Sequence, residues 1–226
     1  MVNKQSVSVL ITSYRRYARL DDVIDGWLRQ PIESLWLIDG GGGFRSKSRD
    51  SRLIIFNLPI DLGTKMDMAF GLLTDGDLIC LADDDLIAAP GFLGDLERVR
   101  AEKGGFVGVI GRTFHGPIYW GKTQFFSSRK IAKPVRVGFV GVVILFERSF
   151  LGFDLRYQPR NCDDLWLQMK IHPDVVKHVA PTTRYENILE ASDVTAMYKN
   201  PKLRLERELF YSHHYLKTYA PSGRIY

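Results

Sequence analysis

Apolar residues run in two rhythms along the first hundred positions. The short runs SVSVLIT (6–12), SLWLID (34–39), RLIIFNL (52–58) and DLICLAD (77–83) are apolar at most positions, the pattern of strands covered on both faces. Helical spacing separates them. In 18–30, Leu20, Val23, Ile24, Trp27 and Leu28 recur on one face until Pro31 stops the run, and TKMDMAFGLL (64–73) predicts a second helix. Strands alternating with helices require crossover connections, hence an α/β fold with a mainly parallel central sheet flanked by helices. The second half is less regular. GFVGVIG (105–111) and VGFVGVVILF (137–146) predict glycine-bearing strands, and the basic, aromatic stretch 113–134 a hairpin or loop. CDDLWLQMKI (162–171) predicts an amphipathic helix introduced by acids, and 200–226 a helix followed by an extended segment. With no repeat or linker, the 226 residues predict one domain with a small mixed C-terminal part.

Composition narrows the class. Hydrophobic residues make up 45% of the chain and charged residues 25%, ordinary values for a globular protein. Neither an apolar span of membrane length nor a signal-peptide pattern is present, so the expectation is a cytoplasmic protein without membrane insertion. Two cysteines, Cys80 and Cys162, make no disulfide framework and no zinc spacing; Cys80 reads as a small core residue. Charge divides unevenly. Residues 1–100 carry 12 Lys and Arg against 15 Asp and Glu, whereas 101–226 carry 19 against 11. An acidic half able to hold a metal is joined to a basic half able to face a polyanion, although an unevenly charged solvated surface explains the same numbers.

The stretch LICLADDDLIAAPGF (78–92) sharpens the question, because Asp83, Asp84 and Asp85 stand where a buried strand should end. Adjacent carboxylates repel, and taking them from water is costly unless a positive charge joins them. A hard cation such as Mg²⁺ or Mn²⁺ suits oxygen ligands; a solvated acidic turn is the bland alternative. Ligands of open α/β sheets bind beyond the carboxyl ends of strands. Thr12–Arg16, Asp39 and Asp83–Asp85 all fall there, which favours the metal.

These landmarks resemble nucleotide-sugar glycosyltransferases of the GT-A fold: a first strand followed by SYRR, a second ending in Asp39, LADDDL in place of the DxD element, then GFVGVVILFERSFL and an acid pair. NCDDLWLQM (161–169) looks like the NCDD-type element of exostosin-like transferases (family 64), and VGVIGRTF resembles them also. FERSFLGFDLRY is a looser likeness to family 2. The likeness covers most of 6–170, while the last quarter of the chain carries no matching motif. Arg15 and Lys65 depart from the family pattern, standing where many relatives carry asparagine and arginine.

The resemblance implies roles. Asp85 would ligate the metal directly, Asp83 would hold the ribose or a water around the ion, and Asp84 completes the acid run. Thr12, Tyr14 and Arg16 would border base and ribose, and Asp39 would accept from uracil or ribose, although ordinary loop capping explains these four as well. Lys65 would meet the diphosphate, or is a solvated helix charge. Gly40–Gly43 lack P-loop spacing and read as a flexible loop. Asp163 and Asp164 would do the chemistry, as base in an inverting enzyme or by orienting sugar and acceptor in a retaining one; helix capping by acids is the alternative. His213 would return to the metal or diphosphate, or pairs with His214 at the surface. Tyr119 and Trp120 suit sugar stacking or, more commonly, core contact. Residues 1–100 would bind the nucleotide-sugar and 101–226 face the acceptor. The implied activity is transfer of a sugar from a UDP-sugar, with Mn²⁺ or Mg²⁺. The charge split suits duplex DNA bearing hydroxymethylated pyrimidines, with a glycan or lipid-linked acceptor as the rival. A nucleotidyltransferase would show a glycine-rich loop where this chain has TSYRRYARL, and a non-catalytic binding module has no need of both acid clusters.

Overall fold

A computed structural model describes residues 5–61, 63, 66–121, 123–152, 162–188 and 200–219, excepting the side chains of 66, 67 and 215–219. The elements are β1 (Val7–Ser13), α1 (Leu20–Leu28), β2 (Ser34–Asp39), β3 (Leu53–Asn57), α2 (Met66–Gly71), β4 (Leu78–Asp83), β5 (Leu86–Ala88), α3 (Phe92–Lys103), β6 (Phe106–Phe114), β7 (Thr123–Ser127), β8 (Val135–Arg136), β9 (Phe139–Glu147), α4 (Asp163–Leu165), β10 (Lys177–Val179), β11 (Tyr185–Asn187) and α5 (Pro201–Tyr219).

The main sheet runs β3-β2-β1-β4-β9-β6-β10-β8, with β7 on β6. From β3 to β4 the strands are parallel, as crossover helices demand. β9 then lies antiparallel between β4 and β6 and joins the parallel half to a mixed half. Period-two alternation sends Val7, Val9 and Ile11 of β1 to one face and Leu10 to the other. On the first face α1 packs Leu20, Val23, Ile24 and Trp27, and α3 packs Phe92, Leu93, Leu96 and Val99. Trp27 meets Phe92 edge-on at 5.6 Å. The second face receives Met68 and Phe70 of α2 and Trp166 and Leu167 beyond α4. Each such buried side chain contributes about 1.5–3 kcal/mol.

Register places the site. Thr12 is level with Asp83 across β1 and β4, and Ser13 with Asp39 across β1 and β2. Three strands therefore end on one rim, and the alternation turns Thr12 and Asp83 towards the face that α2 and α4 cover.

The second half departs from expectation in detail. Helix α3 was not predicted. Of the hairpin or loop expected over 113–134, the described residues form the hairpin, β6 with β7, followed by a 3₁₀ turn at Ser128–Lys130. The helix expected over 162–171 is one α-turn that widens into a π-helix at Trp166–Ile171, where His172 N–H donates to Leu167 O at 3.0 Å. Within it, the Gln168 amide pairs with both backbone groups of Val140 (2.9 and 2.8 Å), tying this segment to β9. Helix α5 starts with Pro201 at its first position, and Asn200 Oδ1 accepts from Lys202 N–H at 3.0 Å, a side-chain cap.

Candidate active site

After Asp83 the chain turns and re-enters the short strand β5, which swings Asp84 and Asp85 beneath the loop joining β1 to α1. Arg16 of that loop bridges them, donating to Asp84 Oδ1 and, at 3.0 Å, to Asp85 Oδ2. The three side chains are 22%, 7% and 11% exposed. The other oxygen of Asp85 is buried and has no hydrogen-bond partner among the described residues, and the same holds for the hydroxyl of Thr12. Asp83 is reached by solvent yet closely surrounded by protein atoms. Its carboxyl is held well above the usual carboxylate range, first by this crowding and then by Asp85, Asp84 and Asp164, against a weaker pull from Arg16.

Asp164 forms the facing wall from the first turn of α4. Its Oδ2 meets Arg207 of α5 at 2.5 Å, while Asp163 beside it is buried. The Arg207 guanidinium stacks over Tyr119 (5.1 Å) and Phe139 (5.4 Å). Glu208 accepts from the amides of Tyr119 (3.0 Å) and Trp120 (3.1 Å), and the Tyr211 hydroxyl donates to Gly116 O at 2.9 Å. Helix α5 and the loop 115–121 thus form one wall. Tyr119 is core, and Trp120 carries the guanidiniums of Arg112 and Arg204 at 4.9 and 5.1 Å, so both aromatics serve packing.

Other expected residues take different places. Asp39 is fully buried and accepts from Gly41 N–H (2.8 Å), Gly43 N–H (2.9 Å), Phe44 N–H (2.9 Å) and the Tyr17 hydroxyl (3.0 Å to each oxygen). The glycine loop is therefore pinned rather than flexible: the amides of Gly41, Gly42 and Gly43 are spent on Asp39 and that of Gly40 on the Ser13 carbonyl. A Cβ on Gly41 would stand 2.2 Å from the Tyr17 hydroxyl oxygen, so any larger residue there must push that hydroxyl aside. Tyr14 is exposed, its ring under the Arg15 guanidinium at 5.1 Å. The cation that α5 brings to the acid pair is Arg207. His213, six residues and about 240° of helix further on, is exposed with its ring against His214. Lys65 lies outside the described residues.

The donor set suits a hard cation. A buried carboxylate oxygen lacking a donor is satisfied by one, and among the described residues Asp83, Asp84, Asp85 and Asp164 outnumber Arg16 and Arg207. Among the described residues no three or more His, Cys, Asp and Glu side chains close into a cage. The acids form an open ledge, the arrangement in which Mg²⁺ shares few carboxylates with a phosphate ligand. Two open grooves of about 390 Å³ lie elsewhere, one lined by residues including Leu72, Asp77 and Arg148, the other by Arg98, Arg129 and Arg184 among others.

No family model and no curated protein matches the chain. Solved structures do. The S. aureus TarS fragment 1–349, in complex with UDP-GlcNAc, superposes with a TM-score of 0.64 at 13% identity, over 93% of this chain and 66% of that one. GalNAc-T7 with UDP, GalNAc and Mn²⁺ superposes at 0.62 and 13%, over 97% and 51%. The chain has the GT-A fold. It spans about two thirds of the TarS fragment and half of GalNAc-T7, and at this identity the likeness concerns architecture alone. No described helix is long and apolar enough to cross a membrane.

Sequence reasoning missed Arg207 and Gln168. Neither has a local signal, since Arg207 meets an acid 43 positions away and Gln168 a strand 28 positions away.

Proposed function

We propose that the chain is a metal-dependent glycosyltransferase that moves a sugar from a UDP-sugar to an acceptor hydroxyl. One observation supports it most: Asp164, from α4, acts electrostatically on Asp83 at the end of β4, beside Asp84 and Asp85, where ligands of α/β sheets bind beyond the strand carboxyl ends, in a chain with the GT-A fold. Asp85 and Asp83 would hold the cation, which when bound supplies Lewis-acid stabilisation of a departing diphosphate. Asp85 offers its unpartnered oxygen for this. Arg16 neutralises the ledge beside it, and Thr12 presents its unpartnered hydroxyl on the same rim. Asp164, fixed by Arg207, orients the reacting sugar and the acceptor. The NCDD-type element supports a retaining course. For the acceptor we favour hydroxymethylated pyrimidine in DNA, supported by the basic second half, over a glycan or lipid-linked hydroxyl.

The test is UDP release from a panel of UDP-sugars with Mn²⁺, with and without hydroxymethylated duplex DNA. Release that DNA stimulates, with a sugar-mass gain on the modified base, is expected. DNA-independent release with transfer to a glycan would displace the DNA reading. No turnover of any donor would overturn the transferase itself.

A further inference from the structure

Asp85 closes one end of a short ribbon. Its carbonyl accepts from Ile188 N–H at 2.8 Å, and β11 runs antiparallel to β5 until the Arg184 carbonyl accepts from Ala89 N–H at 2.9 Å. Four residues of extended chain cover about 13 Å, so Arg184 stands about that far from the acid ledge. There it meets Arg98 of α3 and Arg129 of the 3₁₀ turn around the open groove of about 390 Å³. Among the described residues Asp95 is the single acid of that lining; it takes Arg98 at 3.2 Å and Arg184 at 3.4 Å, with Thr182 donating to it at 2.8 Å. Arg129 is held over the Tyr185 ring at 4.4 Å and donates to the Tyr185 carbonyl.

The charge does not balance. Three guanidiniums face one carboxylate, and 128–136 adds exposed Lys130, Lys133 and Arg136 without an acid. Arg98 and Arg184 are 66% and 57% exposed, and each is held by one or two of the five N–H groups of its fork. The free N–H groups match the oxygens of a phosphodiester. Among the described residues none of the large exposed apolar side chains lines the groove, which favours a phosphate backbone over a lipid surface. The separation of about 13 Å corresponds to roughly four phosphates of a strand at about 3.4 Å axial rise each. We propose that this groove binds the phosphodiester backbone of a nucleic-acid acceptor and so sets which nucleotide reaches the acid ledge. The proposal deepens the DNA reading above and is independent of the donor.

The experiment is binding of a short hydroxymethylated duplex by fluorescence anisotropy across a salt series, with UDP-sugar hydrolysis measured on the same protein. Arg98→Gln/Arg129→Gln/Arg184→Gln removes three phosphate contacts. The slope of log affinity against log salt should fall by about 2.7, so raising salt from 50 to 200 mM should weaken wild type about 40-fold more than the variant. Hydrolysis of the donor should not change. Because Arg129 also packs on Tyr185, Lys130→Gln/Lys133→Gln serves as a second variant in exposed positions, with an expected slope change of up to about 1.8. Equal affinity and slope in wild type and both variants overturns the groove. Heparin bound as tightly as the duplex, with the same dependence on the three arginines, assigns the groove to acidic polysaccharide and overturns the nucleic-acid reading. Duplex binding without hydrolysis of any donor sinks the transferase and leaves the groove standing.

Discussion

Arg16→Met removes the guanidinium that bridges Asp84 and Asp85 and keeps much of the stem's volume. Each hydrogen bond to a charged group contributes about 1.5–3 kcal/mol, and removing one partner of a buried ion pair costs about 3–5 kcal/mol. Arg16 is 22% exposed, so water shares the load and the lower end, about 3 kcal/mol, is the expectation. In a chain of this size that lowers Tm by about 6–12 °C. Thermal unfolding in EDTA reads the loss, and a Mn²⁺ titration reads its reversal. A cation at 100 times its Kd adds about 2.7 kcal/mol, enough to restore most of the stability, and the variant should gain more from Mn²⁺ than wild type does. A variant with the Tm of wild type in EDTA would refute the neutralising role. An equal Mn²⁺ shift in both proteins would refute the idea that guanidinium and cation serve the same carboxylates.

Three further expectations follow from the geometry. Asp164→Asn should lower sugar transfer about 100-fold or more while donor binding, read by calorimetry, persists; full transfer would remove Asp164 from the reacting centre. Gly41→Ala forces the Tyr17 hydroxyl aside and should cost about 1–3 kcal/mol in urea unfolding, and adding Tyr17→Phe should recover part of that loss, whereas strictly additive losses would contradict the overlap. Lys177, 5% exposed and donating to the carbonyls of His172, Pro173 and Val175, is pushed down to about 8 by burial. The folded chain gives up this proton near pH 8 and the unfolded chain near 10.5. Stability from this group therefore rises with pH across that window, by about 3 kcal/mol in all. Desolvation pushes the Cys80 and Cys162 thiols up and works in the opposite sense, so the effect is read as wild type minus Lys177→Met; a flat difference would count against it.

Strands buried on both faces were legible because runs such as VSVLIT and LICLAD leave no polar face, and those strands carry the rim where Asp83 stands. Helix α3 had a signal that went unread: Phe92, Leu93, Leu96 and Val99 at helical spacing between Gly91 and Gly104. Strands β5 and β11 had none, since three residues show no period and exist through mutual pairing. Asp39 misled in a different way. Glycines in a row suggest freedom, yet one buried carboxylate collecting their amides makes the loop rigid. Arg207 and Gln168 act across the fold, where local pattern says nothing.

The strand order has a consequence for synthesis. β4 is complete at Asp83, but the neighbour that covers its outer edge, β9, begins only at Phe139. At about 5–20 residues per second the ribosome needs about 3–11 s to make the intervening stretch of about 55 residues. During that interval the nascent parallel half has an unpaired hydrophobic edge beside its cluster of aspartates. β6 waits in turn for β10, which starts at Lys177. The chain is thus most open to aggregation, and to capture by chaperones, when its first half is already folded.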